Sequence, residues 1–99
     1  MDVNLLDVLD AADSSNALKP VENNDTNFYD SAILGITDEG RLVYSKEIMC
    51  KLLEEINEMD YNEAWEFLEY NCFNAYVGEM TPIYINQYNW QFVSITTLV

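Results

Sequence analysis

The sequence predicts a small α+β protein in which an antiparallel sheet packs against a pair of helices. A hairpin pattern spans residues 32–44, two amphipathic helical patterns follow it, and strand-forming residues return after residue 82. Elements in this order bury their apolar faces most simply when the helix pair covers one face of the sheet. At 99 residues, the chain suits one domain with a modest core.

The N-terminal region is predicted to be a short helix followed by a linker. Its apolar residues recur at helical spacing: Leu5, Leu6, Leu9 and Ala12. Aspartates occupy the other side of residues 2–13, and residues 14–27 are polar, as loops are. A helix of this length is marginal alone, so it docks either on its own domain or in a partner's groove. We therefore divide the chain into residues 1–27, the helix and linker, and residues 28–99, the α+β domain.

The hairpin is the best-defined local pattern. Residues 32–37 form an apolar run typical of a buried strand, and residues 41–44 form the return strand. Between them, Asp38, Glu39 and Gly40 have the composition of a tight turn, in which the glycine can adopt a positive φ.

Two amphipathic helices are predicted after the hairpin. The first begins at the N-cap Ser45, and its apolar stripe consists of Ile48, Met49, Leu52, Leu53, Ile56 and Met59. The second begins at Asp60, which has the spacing of a capping box with Glu63, and Gly78 is its candidate C-cap. Its inward-facing residues are expected to be Ala64, Trp65, Leu68, Cys72 and Ala75.

Two C-terminal strands complete the predicted sheet. Residues 83–85 form a short strand, residues 87–89 a turn, and residues 90–98 a last strand rich in β-branched and aromatic side chains. The predicted sheet is therefore the hairpin plus these two strands, all antiparallel.

Composition excludes several functional classes. The chain has 18 acidic residues, 4 basic residues and no histidine, which gives a formal charge of −14 at pH 7. Because phosphate binding depends on Lys and Arg, we expect no direct nucleic-acid binding and no binding to an anionic membrane. Without histidine, the chain lacks the commonest general base and zinc ligand. With 3 glycines it also has no glycine-rich phosphate loop. We therefore predict a protein that is not an enzyme and binds no cofactor or metal.

Targeting signals and cysteine usage indicate the compartment. The first residues lack the basic start and apolar core of a signal peptide, and no apolar run approaches the roughly 20 residues of a membrane-spanning helix. We therefore expect a cytoplasmic protein in which Cys50 and Cys72 are buried free thiols.

Acidic side chains concentrate on the predicted helix pair. Residues 52–99 contain eight acids and no base, and seven of the acids lie between residues 54 and 69. Steps of three residues place carboxylates about 4.5 Å apart along a helix. The surface is either a solvated face that maintains solubility or an imitation of nucleic-acid phosphates that fits a basic groove. We predict that six of these acids bind a partner: Glu54, Glu55, Glu58, Glu63, Glu66 and Glu69.

Aromatic residues near the C-terminus provide another candidate interface. Tyr88 lies in the predicted turn, so we expect it to be exposed and to contact a partner. Four other aromatic residues are either interface anchors or sheet core: Tyr76, Tyr84, Trp90 and Phe92.

Four blocks of the sequence, in order, resemble a group of small uncharacterised proteins of bacteriophages and prophages. The blocks are Tyr29-Asp30-x-Ala32-Ile33-x-Gly35, Gly40-Arg41-x-Val43-Tyr44-Ser45, Glu63-Ala64-x-Glu66-Phe67-x-Glu69-Tyr70-Asn71 and Ala75-Tyr76-x-Gly78-Glu79-x-Thr81-Pro82-Ile83. The resemblance covers roughly residues 28–85. It implies a phage origin, and hence the host bacterial cytoplasm as the site of action.

These features together predict an acidic inhibitor encoded by a phage. It would bind the basic nucleic-acid site of a host-defence protein, such as a CRISPR effector or a restriction nuclease, as a monomer or small homo-oligomer. The alternative is an adaptor or regulatory module that binds a protein through the N-terminal helix or exposed aromatic residues. A third hypothesis is a phage assembly protein, which would self-associate extensively.

Overall fold

Three α-helices and three strands make up the part of the chain that the structure, a computed structural model, describes: residues 4–87. The helices are α1 (Leu5–Ser15), α2 (Lys46–Ile56) and α3 (Tyr61–Leu68), and the strands are β1 (Ile33–Ile36), β2 (Leu42–Ser45) and β3 (Ile83–Ile85). A 3₁₀ turn, Asp30–Ala32, precedes β1, and a π-helical segment, Glu69–Phe73, continues α3. The predicted α+β class is confirmed.

The strands form one sheet in the order β1-β2-β3. The predicted hairpin is confirmed, because β1 and β2 pair antiparallel with Ile36 opposite Leu42. Their turn is closed by a hydrogen bond from the amide of Gly40 to the carbonyl of Thr37 at 2.9 Å, and the glycine has φ +91°. Gly40 therefore has the positive φ that its place in the turn predicted.

The third strand departs from the prediction, because β3 runs parallel to β2 and not antiparallel, with Val43 opposite Ile83. Parallel neighbours need a crossover of a dozen or more residues, and α2, α3 and the segment after them supply it. The non-helical residues 74–82 can span up to ~30 Å when extended, several times the length of a three-residue strand. The chain can therefore reach either end of the sheet. The predicted last strand, residues 90–98, lies outside the described residues.

The core lies between the helix pair and the sheet. Its largest fully buried side chains are Tyr29, Tyr44, Leu42, Met49, Leu53 and Leu68. Ala64 and Cys72 are also buried, as the helical stripe predicted, whereas Ala75 and Ile56 are exposed. Ile56 is the last residue of α2, and Ala75 lies beyond the end of the helical segment, so neither position continues the buried face of a helix. The helical segment has its C-cap at Asn74 and not at Gly78, the predicted C-cap.

The N-terminal helix packs on the domain, which was one of the two alternatives left open by the sequence. Ala12 of α1 is 5% exposed, and the hydroxyl of Ser15 donates a hydrogen bond of 2.8 Å to the carbonyl of Gly40. Farther along, the amide of Leu18 donates to the carbonyl of Met80 at 3.2 Å. Within residues 4–87, no helix combines the length and apolar character needed to cross a bilayer.

We predict that Gly40→Ala destabilises the protein by about 2 kcal/mol or more. The substitution places a side chain at a positive φ and drives its Cβ into the side chain of Ser15. Gly35→Ala is the matched control, because an added Cβ there meets nothing within 4 Å. It should change the free energy of unfolding by less than about 0.5 kcal/mol. Urea titration followed by tryptophan fluorescence measures both, and equal effects would contradict the prediction.

We also predict that Tyr44→Phe preserves or raises stability at neutral pH and weakens the loss of stability in alkali. The hydroxyl of Tyr44 is buried and has no hydrogen-bond partner within residues 4–87, so its removal leaves no polar group unpaired. Burial, with a smaller contribution from Asp30, raises the pKa of Tyr44 well above its ordinary value of 10.0. A raised folded-state pKa stabilises the protein below the unfolded value, and this contribution is lost as the pH rises above it.

The control for this prediction is Tyr29→Phe. The hydroxyl of Tyr29 donates to Glu22 Oε1 at 3.2 Å, so its removal should cost about 1 kcal/mol at neutral pH. Urea titrations at pH 7 and at pH ~11 compare the two variants with the wild type. A loss of stability at neutral pH in Tyr44→Phe as large as that in Tyr29→Phe would refute the prediction.

Candidate functional site: an acidic groove on the third helix

The predicted capping box fixes the start of α3. The carboxylate of Asp60 accepts a hydrogen bond from the amide of Glu63 at 2.8 Å, and that of Glu63 accepts from the amide of Asp60 at 3.4 Å. These bonds satisfy amides at the helix start that have no partner within the helix. The start of α3 also contacts α2, because Cys50 Sγ lies 3.8 Å from the carbonyl oxygen of Tyr61.

The π-helical segment is held by two asparagine side chains. Asn71 Nδ2 donates to the carbonyl of Phe67 at 2.8 Å, and Asn74 Nδ2 donates to the carbonyl of Glu69 at 3.1 Å. π-helical turns inside α-helices are rare and frequently occur at functional sites. Here the turn lies beside an open groove.

We call this depression of about 620 Å³ the acidic groove. Its lining residues are Glu63, Glu66, Phe67, Glu69, Tyr70, Asn71 and Asn74. Glu63 and Phe67 are four residues apart on α3 and lie side by side, whereas Tyr70, Asn71 and Asn74 come from the π-helical segment and its C-cap. Three carboxylates and two aromatic rings therefore share one surface.

The six predicted acids do not form one continuous site. Glu63, Glu66 and Glu69 line the acidic groove, whereas the three acids on and after α2 do not. Glu54 is half-buried and lies 3.9 Å from Cys50 Sγ, while Glu55 and Glu58 are exposed. Tyr88, the other predicted contact, lies outside the described residues.

No lysine or arginine lines the acidic groove. Lys19 Nζ forms an ion pair with Asp30 at 2.9 Å, the only ion pair within residues 4–87. Arg41 Nε donates to the carbonyl of Thr81 at 2.8 Å, and Lys46 Nζ lies 5.0 Å from the centre of the Phe73 ring. None of the three groove carboxylates therefore forms an ion pair within residues 4–87.

Between residues 4 and 87, no three acidic or cysteine side chains form a group that could hold a metal ion. Cys50 and Cys72 are free, buried thiols, as expected. Burial raises the pKa of Cys72 to about 11 and also raises that of Cys50. Both therefore carry their protons at neutral pH and are poor nucleophiles.

Four groove residues were not among the predicted contacts: Phe67, Tyr70, Asn71 and Asn74. Their signal is present in the sequence, because they continue the Glu63 and Glu66 positions at four-residue spacing. Tyr70 is 88% exposed, so its ring is available to a partner. The sequence prediction considered the acids of this face and overlooked the side chains between them.

Comparison of the chain with protein-family models, with curated proteins and with solved structures finds no match. None of these comparisons tests the resemblance to phage proteins, which stays a prediction.

We predict that Glu66→Gln and Glu69→Gln each raise the free energy of unfolding by about 0.3 kcal/mol at low salt. The reason is like-charge repulsion between acids three residues apart, and Glu69 also lies at the C-terminal end of α3, where negative charge is unfavourable. Asp60→Ala, which removes the N-cap, should instead cost about 1 kcal/mol. Urea titration at about 0.02 M and about 0.5 M NaCl measures these effects. Lower stability of the glutamine variants at low salt would contradict the prediction.

Proposed function

We propose that this chain is a small acidic inhibitor, encoded by a bacteriophage, that occupies the basic nucleic-acid site of a host-defence protein. The carboxylates of the acidic groove take the place of phosphates, and the target is a CRISPR effector or a restriction nuclease. The chain catalyses no reaction. It competes sterically and electrostatically with DNA or RNA.

The observation that carries this proposal is the convergence of Glu63, Glu66 and Glu69 on one open groove that contains no basic side chain. A face that only maintains solubility does not require acids to converge. They follow one another at three-residue steps from α3 into the π-helical segment. Such a step is about 4.5 Å along an α-helix, compared with ~3.4 Å per phosphate of a single DNA strand. The capping box and the two asparagine hydrogen bonds hold the helix that presents them.

The groove also supports a more specific mechanism than charge alone. Tyr70 is exposed next to the carboxylates, and an arginine guanidinium can stack on its ring while it binds a carboxylate. Basic nucleic-acid sites are rich in arginine. The proposed contacts are therefore arginine side chains of the target against the carboxylates and the tyrosine.

A second candidate function is that of a protein-binding adaptor, which the N-terminal helix favours. Leu5 is 41% exposed and Leu6 is 71% exposed on α1, although Ala12 of the same helix packs on the domain. Exposed leucines on a docked helix provide an apolar contact surface. In this case binding would depend on the leucines and be insensitive to salt.

We predict that the protein displaces labelled duplex DNA from at least one member of a panel of RNA-guided nucleases and restriction endonucleases. Replacing Glu63, Glu66 and Glu69 together with glutamine should weaken displacement about tenfold or more, because each lost contact is a charged pair. Fluorescence anisotropy of the DNA measures displacement. The inhibition should also weaken steeply between about 0.05 M and about 0.3 M NaCl.

The matched control replaces three exposed acids outside the groove, as Asp10→Asn, Asp13→Asn and Glu79→Gln, and removes the same amount of charge. This variant should inhibit like the wild type. Leu6→Asp separates the two candidate functions, because it abolishes binding only if the N-terminal helix is the contact surface. Equal inhibition by the groove variant and the wild type would rule out phosphate imitation by the groove.

A further inference from the structure

A second cavity adjoins the acidic groove, and Asn71 lines both. We call it the apolar recess; it has a volume of about 280 Å³. Its apolar lining comes from three separate segments: Pro20, Val21, Ala75, Val77, Pro82 and Tyr84. The volume falls just below the range of about 300–1,000 Å³ that is typical of small-molecule pockets, so a single side chain is a better fit.

The walls of the recess are held in place before any partner binds. The amide of Val77 donates to Thr81 Oγ1 at 2.9 Å, and the same hydroxyl donates to the carbonyl of Gly78 at 2.6 Å. Pro20 and Pro82 are buried on the other sides. A pocket organised in this way avoids the entropic cost of ordering its walls on binding.

The recess does not repel a positively charged partner. Its one basic lining residue is Lys19, whose ammonium group lies 2.9 Å from a carboxylate oxygen of Asp30 and 2.7 Å from Asn27 Oδ1. The charge of this lysine is therefore already paired. The recess is thus an uncharged apolar site next to a strongly negative one.

Exposed apolar side chains line both cavities. Tyr70 of the groove is 88% exposed, and Val77 and Val21 of the recess are 62% and 51% exposed. Apolar side chains gathered at a pocket and bordered by charged residues are characteristic of protein–protein interfaces. This apolar part is an observation separate from the acidic groove, and phosphate imitation does not require it.

We propose that the acidic groove and the apolar recess form one docking surface for a positively charged protein segment that carries an apolar anchor side chain. Charge complementarity selects this occupant, since a chain of net charge −14 repels acidic partners. Basic side chains of the segment lie in the groove, and its anchor enters the recess beside Asn71. This inference rests on the proposed function, because it uses the same groove, and adds an apolar contact that gives selectivity among basic partners.

The test uses an oligoarginine peptide and the same peptide with one terminal leucine, each titrated into the full chain by calorimetry. The leucine peptide should bind about tenfold more tightly, because burial of one such side chain is worth that factor. The advantage should persist at about 0.5 M NaCl, since salt screens charge but not apolar contact.

Two variants alter the recess and leave the acids unchanged. Val77→Ser removes part of its apolar wall, and Ala75→Phe fills it. Both should abolish the leucine advantage without weakening the binding of oligoarginine. Ile56→Ser is the control, because Ile56 is a similarly exposed side chain, at 58%, that does not line the recess. It should retain the full advantage.

Equal affinity of the two peptides for the wild type would overturn the inference. A leucine advantage that survives in both Val77→Ser and Ala75→Phe would also overturn it. The variant with glutamine at positions 63, 66 and 69 distinguishes the two proposals. If this triple variant loses oligoarginine binding, but the leucine peptide binds the wild type no more tightly than oligoarginine does, the apolar anchor alone is refuted. If it binds oligoarginine like the wild type, the function proposed for the groove fails as well.

Discussion

Repulsion among acidic side chains is the constraint on which the rest of this structure depends. Eighteen acids face four bases, so ion pairing cannot neutralise the chain, and one ion pair forms within residues 4–87. Acids that cannot be paired must stay in water. The core is accordingly built of apolar side chains, tyrosines and two thiols, and no acidic residue of the described chain is fully buried. The negative surface is the consequence.

Hydrophobic burial and well-placed polar contacts oppose this repulsion. Cys50 and Ala64 are small and almost fully buried, and Cys50 Sγ lies 3.8 Å from the backbone of α3, so α2 and α3 approach closely. Polar contacts at the ends of elements add local order, as Ser45 does at the start of α2 and Asp60 at the start of α3. These contacts hold the acids of α3 on a rigid helix and not on a flexible tail, which lowers the entropic cost of binding a partner.

Much of the fold was predictable because its signals are local. The hairpin, the caps at Ser45 and Asp60, and the inward positions of Leu53 and Leu68 each depend on residues a few positions apart. The parallel pairing of β3 was not predictable, because strand direction depends on the path of residues 74–82 and not on the composition of the strand. The π-helical segment was missed for a similar reason. In the sequence, Asn71 and Asn74 look like ordinary helix-end residues, and only the structure shows that their side chains bind carbonyls of the helical segment.

The sequence by itself determined the charge of this protein, the absence of histidine chemistry and the helical placement of its acids, because composition and four-residue spacing carry that information directly. The tertiary structure decided which acids belong together. It separates Glu54, Glu55 and Glu58 from the groove, and it brings Pro20, Val77 and Pro82 around one recess next to Asn71. Residues so far apart in sequence meet because the segment after α1 contacts the segment before β3, as the hydrogen bond from the amide of Leu18 to the carbonyl of Met80 shows, and no local pattern encodes that contact.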